Sequence, residues 1–128
     1  MKANELRLNN LVLVNGITYK VLSIEQDGVL VEPLKDSNNM CYDFENYKLE
    51  PIPLTEEWLL QFGLVRNEVD RKRFYICGVD LYVFNSEKII FNPSSASLSL
   101  YIKHVHTLQN LYFALTGEEL KIKDDENN

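Results

Sequence analysis

Over the first fifty residues the apolar positions come in short runs broken by turn-forming residues. Leu11-Val12-Leu13-Val14 is one run, and Asn15-Gly16 after it is a strong hairpin signal, because both central residues of a type I′ turn take positive φ. Residues 17 to 24 return with period two, Ile17, Tyr19 and Val21 on one face, Thr18, Lys20 and Leu22 on the other. Gln26-Asp27-Gly28 predicts a second turn and Val29-Leu30-Val31-Glu32 a third strand, ended by Pro33. A polar loop follows from Lys35 to Asn39, and a fourth strand is expected near Met40 to Phe44. Three or four tightly connected strands predict an SH3-like small barrel or a meander.

The pattern then changes. Pro51-Ile52-Pro53 is a stiff connector. Thr55 reads as a helix N-cap, Glu56 and Glu57 suit the positive end of the helix dipole, and Leu54 and Leu59 stand at staple positions. Trp58, Leu59 and Phe62 form the apolar face of this short helix, and Gly63 stops it. Strand-like runs resume at residues 74–77, 81–84 and 88–91, separated by Gly78-Val79-Asp80 and Asn85-Ser86-Glu87. After Asn92-Pro93-Ser94-Ser95, Leu98, Leu100 and Ile102 alternate toward a core while Ser99 and Tyr101 face out. A second antiparallel sheet of about four strands is predicted, with a closing helix carrying Val105, Leu108, Leu111, Tyr112 and Leu115 on one stripe. The fold class is therefore α+β, antiparallel sheets with two short helices. It forms one domain over residues 1–128, with a small barrel-like part at 1–50, a helix–sheet–helix part at 51–120 and a flexible acidic tail at 121–128.

Composition narrows the partner more than the fold. The net charge is −6, half of it carried by the five acids and two lysines after Gly117. Broad nucleic-acid binding rests on a cationic surface, so nucleic acid is an unlikely partner. No apolar run reaches the roughly 20 residues needed to cross a bilayer, and Met1 to Arg7 is polar. The reading is a cytoplasmic protein with no membrane partner. Cys41 and Cys77 are 36 positions apart and read as buried free thiols, packing as small hydrophobes.

Two stretches carry candidate chemistry. His104-Val105-His106 resembles half of a metal site, since residues i and i+2 of a strand share a face. The apolar stripe places the helix start by Val105, however, and in a helix the two rings point about 200° apart. No metal site and no cofactor is therefore expected, and His104 is read as an exposed junction residue. On the same helix His106, Gln109, Asn110 and Phe113 recur at i, i+3, i+4 and i+7. An imidazole, two amides and a ring suit a polar small molecule such as a nucleotide. The alternative is a helix buried on two sides with these groups satisfied internally, the commoner fate of buried polar groups. Arg66, Arg71, Lys72 and Arg73 beside Tyr75 form the most basic stretch, a possible phosphate or nucleic-acid contact. The alternative there is a solvated hairpin edge. No nucleotide-binding, hydrolase or metalloprotease motif occurs, so an enzyme is not expected.

Three blocks, "MKANELRLNNLV", "PIPLTEEWLLQFG" and "HTLQNLYFALTGEEL", resemble a family of small proteins of Bacteroidota phages, prophages and other mobile elements. The blocks span nearly the whole chain. The family carries no established activity, so the resemblance brings no catalytic residues; it implies an accessory protein acting inside a bacterial cell. The function expected is non-catalytic binding of a macromolecular partner, with a nucleotide-like small molecule as the alternative ligand. Partner identity and oligomeric state are not legible in the sequence.

Overall fold

The structure, a computed structural model, describes residues 1, 3–35, 40–85, 88–91 and 100–123. Most of the predicted loop at 35–39, the turn at 85–87, the loop from Asn92, the positions of Leu98 and Ser99, and the end of the tail lie outside the described residues. The fold is α+β, with antiparallel sheets of four and five strands. The chain forms two compact units, one of Met1–Ile52 with His104–Asn110, the other of Pro53–Lys103 with Leu111–Asn128.

In the first unit β1 (Leu11–Val14), β2 (Ile17–Ile24), β3 (Gly28–Pro33) and β4 (Tyr42–Glu45) form a meander in sequence order. The first hairpin is as expected: Val14 pairs with Ile17, and Asn15 and Gly16 take φ of 52° and 79°. Alternation buries Tyr19 and Val21, but Ile17 is exposed because it borders the turn. A bulge at Leu22 shifts the β2–β3 register, and a 3-10 turn at Asn46–Lys48 carries the chain back toward β1. There Leu13 N–H donates to Glu50 O at 2.9 Å and Glu50 N–H returns to Leu13 O at 2.8 Å. The core of this unit is Leu6, Val12, Val14, Tyr19, Val21, Val29, Val31 and Leu49.

In the second unit the short helix forms as its capping residues require. Thr55 Oγ1 accepts from Trp58 N–H, opening α1 (Glu56–Gln61), and Gly63 at φ 89° ends it. The five-stranded sheet is β5 (Val65–Arg66), β6 (Arg73–Ile76), β7 (Val79–Asn85), β8 (Lys88–Phe91) and β9 (Leu100–Tyr101), again in sequence order. Its inward residues Phe74, Val79, Leu81, Ile89 and Phe91 are buried. β5 carries too few apolar residues to be visible in the sequence; it exists because Arg66 pairs with Phe74 of the next strand. The closing helix α2 (Val105–Thr116) starts where the apolar stripe places it.

Several expectations about burial fail for local reasons. Both cysteines are exposed rather than buried. Cys77 is the first residue of a two-residue hairpin turn between Ile76 and Val79, with φ of 43°, followed by Gly78 at 86°; turn geometry lifts it off the sheet. Cys41 precedes β4, the last strand of its sheet. Leu100 is 48% exposed because β9 is a two-residue edge strand with only β8 beside it. Leu115 is likewise exposed, in the last turn of α2, so the buried stripe stops at Tyr112.

Candidate functional site

The N-terminal half of α2 presents its polar stripe to the segment that leads into β1. A strand's N–H groups alternate in direction, and those of Leu11 and Leu13 point away from β2. Glu50 O takes the N–H of Leu13, and Gln109 Oε1 takes that of Leu11 at 2.9 Å. The other end of the same amide, Gln109 Nε2, donates to Asn9 O at 3.1 Å. Gln109 is 2% exposed, so both ends of a buried amide are engaged.

Asn110 extends the clasp. Its Oδ1 accepts from Asn10 Nδ2 at 2.9 Å and from Arg7 Nη1 at 3.3 Å, and its Nδ2 donates to Glu5 O at 3.1 Å. Asn10 is fully buried; its Oδ1 accepts from Arg7 N–H at 2.7 Å and closes a local turn. Asn9 stands at φ 74°, a left-handed conformation that asparagine tolerates better than most residues. Glu5, Arg7, Asn9 and Asn10 thus belong with Gln109 and Asn110 although about a hundred positions separate them. No periodicity links them, and the available signal is the unusual polar pair Asn9-Asn10 set between Leu8 and Leu11.

The histidines come together instead of diverging. Their rings stack at a centroid distance of 5.6 Å and an interplanar angle of 7°. Leu108 N–H donates to His104 O, so His104 is the N-cap; its backbone is outside the helix and the 100°-per-residue rule does not apply to it. His104 is half-buried, not exposed. His106 is 3% exposed, with Nε2 3.8 Å from Glu5 Oε1, and no described residue bonds its Nδ1. Burial first, then the charge of His104, holds His106 below the usual histidine pKa, against an upward pull from Glu5. Among the described residues no three His, Cys, Asp or Glu side chains converge as a metal site would need.

Titration of His106 has a consequence for stability. The unfolded chain takes up a proton near pH 6.5, and the folded chain only below that. Well above pH 6.5 both states are neutral there and stability is whole. As pH falls below 6.5 the unfolded chain takes up its proton first and stability is lost, at most about 1.4 kcal/mol per pH unit for one proton, until the lowered folded value is reached. In urea titrations between pH 7.5 and 5.5, the wild type should lose stability that His106→Phe retains. Parallel pH curves for the two proteins refute this.

Phe113 does not join the clasp: it is 37% exposed and belongs to the second unit. Two of the four cations of the basic stretch, Arg66 and Arg73, are matched by acids. Arg66 Nη2 lies 3.1 Å from Glu56 Oε1, with its guanidinium 5.1 Å from the Phe74 ring centroid. Arg73 stands between Asp70 at 3.5 Å and Asp80 at 3.7 Å. Arg71, Lys72 and Tyr75 are exposed. Comparison with protein-family models, curated proteins and solved structures returned no match for this chain.

Proposed function

We propose that this chain is a non-catalytic binding protein of phage or mobile-element origin that holds a protein partner inside a bacterial cell. One observation carries the reading: the first unit keeps polar amides inside while exposing large apolar side chains around β4. Asn10 and Gln109 are buried and hydrogen-bonded, whereas Tyr47 is 71%, Met40 54% and Tyr42 39% exposed. These three lie on or beside β4, the edge strand of the four-stranded sheet. Tyr42 is backed by Phe44, stacked at 6.1 Å, and by Tyr19, edge-on at 6.0 Å. An exposed tyrosine backed by neighbouring rings, as Tyr42 is, loses little entropy on binding, and tyrosines recur at interface hot spots.

The path of the first unit supports the same reading. A meander, a 3-10 turn and a return to the first strand follow the course of an SH3-like module, whose aromatic side chains commonly receive peptide segments. The three sequence blocks support the phage or mobile-element origin.

The partner is to be isolated from the native host on the intact chain and its affinity remeasured with purified components. Tyr42→Ala and Tyr47→Ala together should weaken binding at least tenfold while leaving the unfolding midpoint in place. Undiminished binding by the double variant removes this surface from the function. Co-purification of a nucleotide that stabilises the protein, with no protein partner, replaces the reading by small-molecule binding.

A further inference from the structure

An antiparallel sheet with one face open to water normally alternates apolar inward and polar outward. The five-stranded sheet of the second unit does not. Its outward positions follow from the register: Val65 lies opposite Tyr75, and Tyr82, Ile90 and Tyr101 lie opposite one another across β7, β8 and β9. Val65, Tyr75 and Tyr101 are 51%, 48% and 56% exposed. Asp80 lies opposite Tyr75 and Arg73 opposite Tyr82, so the band is two apolar rows joined on a diagonal, Val65 with Tyr75 and the half-buried Tyr82 and Ile90 with Tyr101. With strands about 4.8 Å apart, it crosses about 19 Å of sheet. A bulge between Val83 and Asn85 leaves Phe84 exposed beside it.

The charges around the band decide what fits it. Arg73, Asp80 and Lys88 occupy outward positions, and Asp70 pairs with Arg73. Lys88 Nζ lies 5.4 Å from the Tyr101 ring centroid and 5.8 Å from that of Phe84. Among the described residues two cations and two acids therefore balance on this face, in a chain of net charge −6. A nucleic-acid surface needs a cationic excess, which this face lacks. A second copy of the chain needs self-complementarity about a twofold axis, where residue i meets j and j meets i. Tyrosine against tyrosine, with the half-exposed Arg73–Asp80 pair of each chain, 3.7 Å apart, able to exchange partners with that of the other copy, meets that requirement without setting the acidic remainders against each other.

We propose that this sheet face is the contact between two copies of the chain. The band is only one or two residues deep along each strand, so the pair is weak and reversible, in the class of small transient interfaces. This self-association is independent of the partner-binding edge of the first unit.

Sedimentation velocity of the intact chain over a wide concentration range tests it. The weight-average mass of the wild type should rise with concentration toward that of two chains. Tyr101→Glu and Arg73→Glu, both at exposed positions, should each weaken association at least tenfold with unchanged circular dichroism. An equimolar mixture of the Arg73→Glu and Asp80→Arg single variants, each impaired alone, should recover association, because each copy then offers the other an opposite charge at both twofold-related contacts; misfolding of either variant cannot produce that outcome. A wild type that stays monomeric at every concentration overturns the proposal, as does a dimer indifferent to these substitutions. Salt-sensitive binding of a labelled single-stranded oligonucleotide that Tyr101→Glu abolishes assigns the face to nucleic acid instead.

Discussion

Replacing Gln109 with leucine should remove on the order of 3 kcal/mol from the stability of the fold, a large effect for a change that adds apolar volume. Leucine fills nearly the same space but offers no acceptor to Leu11 N–H and no donor to Asn9 O, which the glutamine amide now serves at 2.9 and 3.1 Å. The Leu11 bond is buried, and a buried backbone group left without a partner loses about 1–3 kcal/mol of desolvation. By contrast Leu60→Gln, at a half-exposed position on α1, should change stability by no more than about 0.5 kcal/mol. Urea unfolding followed by circular dichroism distinguishes the cases. Equal midpoints for Gln109→Leu and the wild type exclude the clasp as a source of stability. A binding site would show the opposite signature, loss of ligand at constant stability.

Gly28→Ala should cost about 2 kcal/mol, although glycine in a strand is ordinarily the weaker residue. A Cβ at Gly28 would stand 2.7 Å from Phe44 O and 3.2 Å from Asp43 Oδ1. The near atom is backbone carbonyl, held in register by the pairing of Val29 with Phe44, so it cannot rotate aside. β4 must shift, and it carries Tyr42 and Phe44. The substitution should therefore lower the unfolding midpoint and also weaken partner binding, whereas Gln109→Leu acts on stability alone at temperatures where it stays folded. A Gly28→Ala protein with wild-type stability shows that β4 is not confined by this contact.

Local signals recovered those elements whose causes are local. Asn15-Gly16 sets its hairpin, Thr55 and Gly63 bound α1, and the apolar spacing from Val105 onward places the start of α2. Each depends on residues within a turn or two of one another. Cys77 was misread because an apolar-looking run continued through a position that the chain uses for a positive-φ turn. β5 was missed because two residues show no period; their pairing with Tyr75 and Phe74 makes them a strand.

The candidate site was half legible. The spacing of His106, Gln109 and Asn110 correctly marked a second, polar face on α2, but spacing does not say what a face meets. The sequence by itself determined an α+β chain of antiparallel sheets, its principal turns, its helix caps and its acidic balance, since propensity, chirality and periodicity act between near neighbours. Only the tertiary structure decided that Asn9 and Asn10 meet Gln109 and Asn110 a hundred residues away, that His104 stacks on His106, and that Val65 and Tyr75 share an exposed face of the second sheet with Tyr101. Those outcomes depend on which groups long-range folding brings side by side, which no local pattern of neighbouring residues displays.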